Sequence, residues 1–462
     1  MFKVLSALLV ALSIAPAVQP ARQNVSLIVT GGAVVTVDTS NRVIASGAVA
    51  INGRDIVAVD TADAIAQRFS AAETIDATGQ VVLPGLINTH THAPMVLYRG
   101  LADDLALMEW LQKYIFPAEA KTVTPEFVRA GTRLAALEMI QSGTTAYADM
   151  YYFEEEIAKA TKEAGIRGVL GQTIIQFPVP DAKTPADSIA RAVAFIKQWR
   201  DDELIVPAIA PHAMYTLDAA TLKTIRATAD SEKAPVIIHL AETRDEVKVA
   251  REKYKMTPTR FLESINFWGP RTLAAHAVHV SPADIAILAR RGVGLSHNPE
   301  SNMKLASGTA PVPDMQTAKI AVGLGTDGAA SNNDLDMFEA MRQAAFLHKL
   351  QRNDPRVLPA TTALRMATLD GARALGMDKM IGSLETGKRA DLIVVSMRGA
   401  RQTPMYDPIS HLVYVSRGDD VQTTIVNGKV VMRDRRVATL DEKAVLDEAS
   451  AWAKKVRSAV GQ

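Results

Sequence analysis

Two textures of apolar and polar residues alternate along the chain. Between 25 and about 82, apolar residues come in short β-favouring runs (27–29, 33–37, 49–51, 56–59) punctuated by glycine, the pattern of a small sheet. The texture returns late, where 391–395 follows Gly-Lys-Arg-Ala and Asn427-Gly428 separates two apolar runs, a strong hairpin signal. The stretches 22–83 and 379–440 are therefore expected to combine into one small β-sandwich domain built from both chain ends.

The middle, 84–378, alternates. An apolar run at 81–87 is followed by β-type runs at 144–150, 168–175, 204–211, 235–241, 272–278, 292–296 and 320–326, with helical stretches between them. One helix is predicted over 124–142, with Thr124 as N-cap, Pro125 at the first helical position and Gly143 beyond its end. Another covers 282–291. Eight strands alternating with helices predict an α/β fold, a (β/α)₈ TIM-like barrel. A doubly wound open sheet is the alternative, but no Gly-x-Gly-x-x-Gly supports a dinucleotide site. The segment 441–462 reads as a C-terminal surface helix.

The first 21 residues read as a separate piece. Lys3 gives a positive start, 4–14 is apolar but too short to span a bilayer, and Ala15-Pro16-Ala17 offers a small-residue cleavage site. The expectation is a secretory signal peptide and a periplasmic or secreted mature protein with no membrane span; an uncleaved anchor is the alternative. The net charge of +1 gives no electrostatic case for a nucleic-acid partner. The chain contains no cysteine, so any metal must sit on histidine and carboxylate.

The histidines then decide where chemistry would lie. His90 and His92 follow the first run at i and i+2 spacing, which turns both imidazoles to one face of a strand. His212, His239, His276 and His297 each end a later run, so six of the nine histidines fall at strand ends. A barrel enzyme carries its chemistry at that layer. Asp327 follows the eighth run between small residues, and Glu242 lies three residues past His239.

These residues carry a resemblance. Pro84-Gly-Leu-Ile-Asn-Thr-His-Thr-His-Ala-Pro-Met, Pro211-His, His239-Leu-Ala-Glu-Thr, Ala275-His, Ser296-His-Asn-Pro-Glu-Ser-Asn and Gly325-Thr-Asp-Gly-Ala-Ala-Ser-Asn-Asn resemble the amidohydrolase superfamily. The closing Gly-Lys-Arg-Ala-Asp-Leu segment completes the match. The branch most resembled is that of 5-methylthioadenosine/S-adenosylhomocysteine deaminases and related chlorohydrolases, over essentially the whole mature chain.

The resemblance implies one divalent metal, Zn²⁺ or alternatively Fe²⁺, on His90, His92, His239 and Asp327. It implies Glu242 and His276 as the proton-handling and substrate-polarising pair, Asp327 as acceptor of the water proton, Glu119 as a ligand for ribose hydroxyls, and His212 and Arg167 as substrate contacts. Dinuclear relatives carry a bridging lysine at the end of strand four; here that strand ends Ala210-Pro211-His212, which favours one metal. The implied reaction is hydrolytic deamination of a 6-aminopurine nucleoside with release of ammonia, and a homo-oligomer is allowed. Competing readings are hydrolysis of another heterocycle (a different aminopurine, a pterin, a chloro-s-triazine), an exported amidase or peptidase, and a non-catalytic binding protein.

Overall fold

The computed structural model describes residues 22–461. The expected leader at 1–21 lies outside them. Among the described residues no helix is long and apolar enough to cross a membrane.

Eight parallel strands follow one another in chain order: β1 (Leu86–Thr91), β2 (Thr144–Tyr151), β3 (Arg167–Ile174), β4 (Ile205–Pro211), β5 (Val236–Leu240), β6 (Thr272–His276), β7 (Gly294–His297) and β8 (Val322–Leu324). Helices cross between them, as parallel pairing requires. The helix Pro125–Gln141 begins as its sequence directs: Pro125 occupies the first turn, and the Thr124 hydroxyl accepts from the Phe127 N–H at 3.2 Å. Ile87, Ala148, Val169, Ala208, Ile237 and Leu273, drawn from six strands, share one buried cluster.

β8 returns to β1 through polar contacts. The Asp327 N–H donates to the His90 carbonyl at 2.9 Å, Thr89 Oγ1 donates to the Leu324 carbonyl at 2.9 Å, and Asn88 Nδ2 donates to Thr326 Oγ1 at 2.7 Å. Gly325 permits this approach, since a Cβ there would lie 2.5 Å from Asn298 Oδ1 and 2.9 Å from the His90 nitrogen. The small residues before Asp327 thus serve closure of the barrel.

The apolar run expected as one first strand is two. Gln80–Pro84 pairs antiparallel with Leu392–Ser396, whereas β1 pairs parallel with β2. The chain changes sheet at Gly85, where a Cβ would lie 2.1 Å from the Thr145 hydroxyl oxygen. Both halves are buried on both sides, so hydrophobicity alone could not mark the switch.

Outside the barrel lie a four-stranded and a seven-stranded sheet. The first takes strands from the early chain only, including Gln23–Thr30 and Gly47–Asn52; the second joins Gln80–Pro84 to Leu392–Ser396, Val421–Val426 and Lys429–Arg433. Leu27, Val49 and Ile51 of one sheet and Val82, Leu392 and Val394 of the other form a single buried cluster, the interior of a sandwich.

The terminal helix, Glu442–Val460, is more than a surface helix. It buries Val445, Ala449 and Val456, and Trp452 sets its ring edge-on to Phe127 at 5.5 Å. Lys121 Nζ, on the helix Phe116–Thr122, donates to the Ala459 carbonyl at 3.0 Å. The chain end therefore braces the segment that carries Glu119.

Candidate active site

Five of the six strand-end histidines converge. His90 and His92 come from β1, His212 follows β4, His239 lies in β5 and His276 ends β6; ring centroids of His90 stand 4.9 Å from His92, 5.0 Å from His239 and 5.4 Å from His276. His297 does not join them. Its ring turns outward, and its Nε2 lies 3.2 Å from Nε2 of His348. Strand-end position had implied one layer of six, but β7 is only four residues long and ends with His297 facing the helix Met337–Arg352.

Asp327 closes the cluster. Its Oδ1 lies 3.4 Å from Nε2 of both His90 and His92, and its Oδ2 accepts from Ser301 Oγ at 2.7 Å. The Gly328 N–H donates to Oδ1 at 2.8 Å. Backbone strain gathers here. Asp327 has φ of 65°, His276 of 71°, and Ala241, between His239 and Glu242, of 46°. Left-handed backbone at non-glycine residues costs on the order of 1–3 kcal/mol each and is held only where the surroundings over-determine it.

The protonation pattern tests whether these residues suit a cation. His92 Nδ1 sits 2.6 Å from the Met150 carbonyl and His239 Nδ1 sits 2.9 Å from the His212 carbonyl, so each ring donates through Nδ1 and turns a bare Nε2 inward. Those two nitrogens are 3.4 Å apart, lone pair against lone pair. Neither ring nitrogen of the fully buried His90 has a hydrogen-bond partner. Burial, with the charge of His90 second, drives the His92 pKa down to about 4, and burial holds His239 well below its usual value, so both rings are neutral at pH 7. An inward set of bare imidazole nitrogens beside a carboxylate fits one divalent cation, and without it the lone pairs repel. Ligand-type atoms of His90, His92 and Asp327, and of His90, His239 and His276, lie within 4.8 Å of one another in each trio.

His276 differs. Its Nδ1 is contacted by the side-chain amides of Asn298 at 3.2 Å and Asn302 at 2.9 Å. As donors, these amides leave the ring proton on Nε2, which points at Glu242 Oε2 (3.8 Å) and Asp327 Oδ2 (3.9 Å). His276 then presents an N–H to the cavity where His92 and His239 present lone pairs. Glu242 is buried opposite it. Desolvation, then the negative charge of Asp327, pushes its carboxyl well above the usual range. The backbone around it is pinned, because the buried Glu246 carboxylate accepts from the N–H groups of Ala241 at 2.9 Å and Glu242 at 3.0 Å.

The cavity is roofed by the segment after β1. Leu107, Trp110, Leu111, Ile115 and Phe116 line it, and Glu119 stands on its wall with His212. The stretch covers the barrel mouth as three short helical turns, Leu107–Trp110, Leu111–Ile115 and Phe116–Thr122. Glu119 is 5% exposed and accepts from the Tyr151 hydroxyl at 2.7 Å; burial raises its pKa to about 7.

Arg167 is not there. It opens β3 at the N-terminal end of the barrel, 1% exposed, with its guanidinium donating to both Asp391 oxygens (3.0 and 3.2 Å) and to the Glu203 carbonyl at 2.6 Å. The assignment as a substrate contact is corrected to a structural pair: a residue at the start of a barrel strand faces away from the chemistry. Conversely, Tyr151, Asn298, Ser301 and Asn302 were not singled out. Three of these lie in the Ser-His-Asn-Pro-Glu-Ser-Asn stretch, where polar residues crowding the short helix Pro299–Lys304 and its N-cap Asn298 after a short buried strand were the available signal; Tyr151, in an all-buried strand, gave none.

A closed parallel barrel with imidazoles and a carboxylate gathered at the strand ends defines a metal-dependent hydrolase. The amidohydrolase family pattern matches residues 81–431, and this chain belongs to that family. It is 47% identical over 431 residues to a 5-methylthioadenosine/S-adenosylhomocysteine deaminase of Syntrophobacter fumaroxidans, covering 93% of this chain and 98% of the relative. It is 45% identical over 425 residues to a 5′-deoxyadenosine deaminase of Methanosarcina mazei, covering 92% and 96%. The crystal structure of an adenosine deaminase from Xanthomonas campestris with bound zinc superposes with a TM-score of 0.93 at 40% identity, covering 95% of this chain and 100% of that one.

Proposed function

We propose that the protein is a zinc-dependent aminohydrolase that removes the 6-amino group of an adenosine-type nucleoside as ammonia, and that it acts outside the cytoplasm. One observation carries the reaction: a buried carboxyl (Glu242), pushed towards its neutral form by desolvation, and the His276 ring face each other beside a cluster of bare imidazole nitrogens. His90, His92, His239 and Asp327 would hold the ion. When bound, it acidifies a water molecule and so supplies a nucleophile near neutral pH.

The chain's own residues do the rest. Asp327 takes up the proton that the attacking water sheds. Glu242 gives its proton to the ring nitrogen next to the attacked carbon, takes the remaining proton from the added oxygen and passes it to the departing amine, while the proton held by Asp327 returns to Glu242; the first transfer needs a carboxyl that burial keeps towards its protonated form. His276 donates through Nε2 to the oxygen as negative charge develops on it. Water and the amine group are consumed, and ammonia and the ring carbonyl are formed.

Glu119, one oxygen held by Tyr151, offers the other to a vicinal diol, and His212 contacts the purine. The relatives' names support the nucleoside class. The positive start, apolar run and Ala-Pro-Ala of 1–21 support export.

A panel measuring ammonia release tests the assignment. An adenosine-type ribonucleoside is expected to exceed its 2′,3′-dideoxy analogue by about 10- to 150-fold in kcat/KM, the equivalent of about 1.5–3 kcal/mol for a hydrogen bond to a charged partner. Equal treatment of both would remove Glu119 from ribose recognition. N-terminal sequencing of protein recovered outside the cytoplasm should begin near residue 18–22; Met1 on the bulk of it defeats the export reading.

A further inference from the structure

The cavity does not stop at Glu119. Phe116, Glu119 and Tyr152 line both the metal-side cavity and a second lobe of about 230 Å³, which Phe177, Val179 and neighbouring prolines complete. Phe116 and Phe177 meet edge to face at 5.9 Å across it, and Phe177 remains 44% exposed, an apolar ring at the rim. None of the clustered imidazoles lines the lobe. With the purine 6-position at the imidazoles and the ribose diol on Glu119, the 5′ carbon, two bonds from the carbon that bears the 3′ hydroxyl, would come next to the walls that the two cavities share.

The relatives named above are named for nucleosides that differ only in what that carbon bears: a methylthio group, hydrogen, a hydroxyl, or a sulfur-linked homocysteine whose tail carries an ammonium and a carboxylate. Volume does not separate them, because the lobe is open at its rim. Charge does. Among the described residues no lysine or arginine lines the lobe, and its ionisable wall residues are Glu119 and Tyr152. Arg191 is committed to Glu155 and Asp181, and Lys183, in the same loop, is exposed and does not line the lobe. A substrate carboxylate here would shed its water among phenyl rings and prolines beside an acidic side chain, with no cation to meet it.

We propose that the lobe formed by Phe116, Tyr152, Phe177 and Val179 is the specificity site for the 5′ substituent, and that it selects small uncharged groups, alkylthio or deoxy, against an amino-acid tail. The inference rests on the nucleoside reading above and goes beyond it by choosing within the class.

The test compares kcat/KM for 5′-methylthioadenosine, 5′-deoxyadenosine and S-adenosylhomocysteine on the metal-loaded enzyme. The two uncharged substrates should exceed the third by about tenfold or more. Val179→Arg should move that ratio by about tenfold towards S-adenosylhomocysteine by placing a guanidinium in the lobe. Equal kcat/KM for all three in the wild type overturns the inference while leaving the nucleoside reading intact; failure of all three defeats that reading instead. If Val179→Arg does not fold, Lys183→Ala decides. A wild type that uses S-adenosylhomocysteine well and loses it in Lys183→Ala assigns the carboxylate to Lys183 and overturns the inference, whereas an unchanged ratio in Lys183→Ala upholds it.

Discussion

At the N-terminal end of the barrel, Arg167 is buried against Asp391 and Glu203 with its guanidinium donors met on two sides. At the C-terminal end, Glu242 and Glu119 are equally buried, yet no cation meets either carboxyl, and the imidazoles between them face one another with bare nitrogens. Both ends take charge out of water. Only the lower one neutralises it internally. The upper one leaves its electrostatics to be completed by an ion and a substrate, and left-handed backbone at Asp327 and His276 gathers there as well. Burial of a titratable group therefore does not distinguish structure from chemistry in this molecule; whether its partner is already present does.

The contrast breaks most sharply if Glu242→Gln leaves turnover intact. The amide keeps the shape but cannot shuttle a proton, so kcat should fall by about 10²–10⁴-fold. Metal content by elemental analysis should stay near one ion per chain. Arg167→Ala should do the reverse. Removing one partner of a buried pair costs about 3–5 kcal/mol, read as a lower denaturant midpoint, while kcat per folded, metal-loaded molecule stays at the wild-type value. A kcat defect without loss of stability would return Arg167 to the site.

Chelation should lower Tm, because an ion at a hundred to a thousand times its Kd adds about 3–4 kcal/mol to the folded state. A Tm indifferent to chelator would mean that the inward lone pairs need no cation. The smallest expected effect concerns Glu119. Its folded pKa of about 7 lies above the unfolded value of 4.5, so the unfolded chain loses its proton first and stability falls as pH rises between them. Glu119→Gln should thus be more stable than wild type by about 1–3 kcal/mol at pH 8, with the gain vanishing below pH 4.5. A gain independent of pH would point to packing instead.

The same contrast governs what could be read from the chain. His90, His92, His239, Glu242, His276 and Asp327 are visible because each sits at the end of a periodic apolar run, and a barrel gathers such ends by its topology alone. Arg167 sits at the beginning of one, a difference of a single strand length that residue type does not report. His297 ends a run but faces the wrong side, since orientation at the tip of a four-residue strand depends on how its neighbours pack. The switch of sheet at Gly85 is hidden because both halves are buried. Tyr151, which orients Glu119, is indistinguishable in sequence from the aromatic core residues beside it.

The seam between β1 and β8 also bears on the order of events in the life of a molecule. Thr91 and Asp327 stand 236 positions apart, and they meet only when the eighth strand has docked beside the first. The set of His90 and Asp327 is therefore complete only once the ends of the barrel have met. The affinity for an ion is thus a property of the finished barrel and of no segment of it.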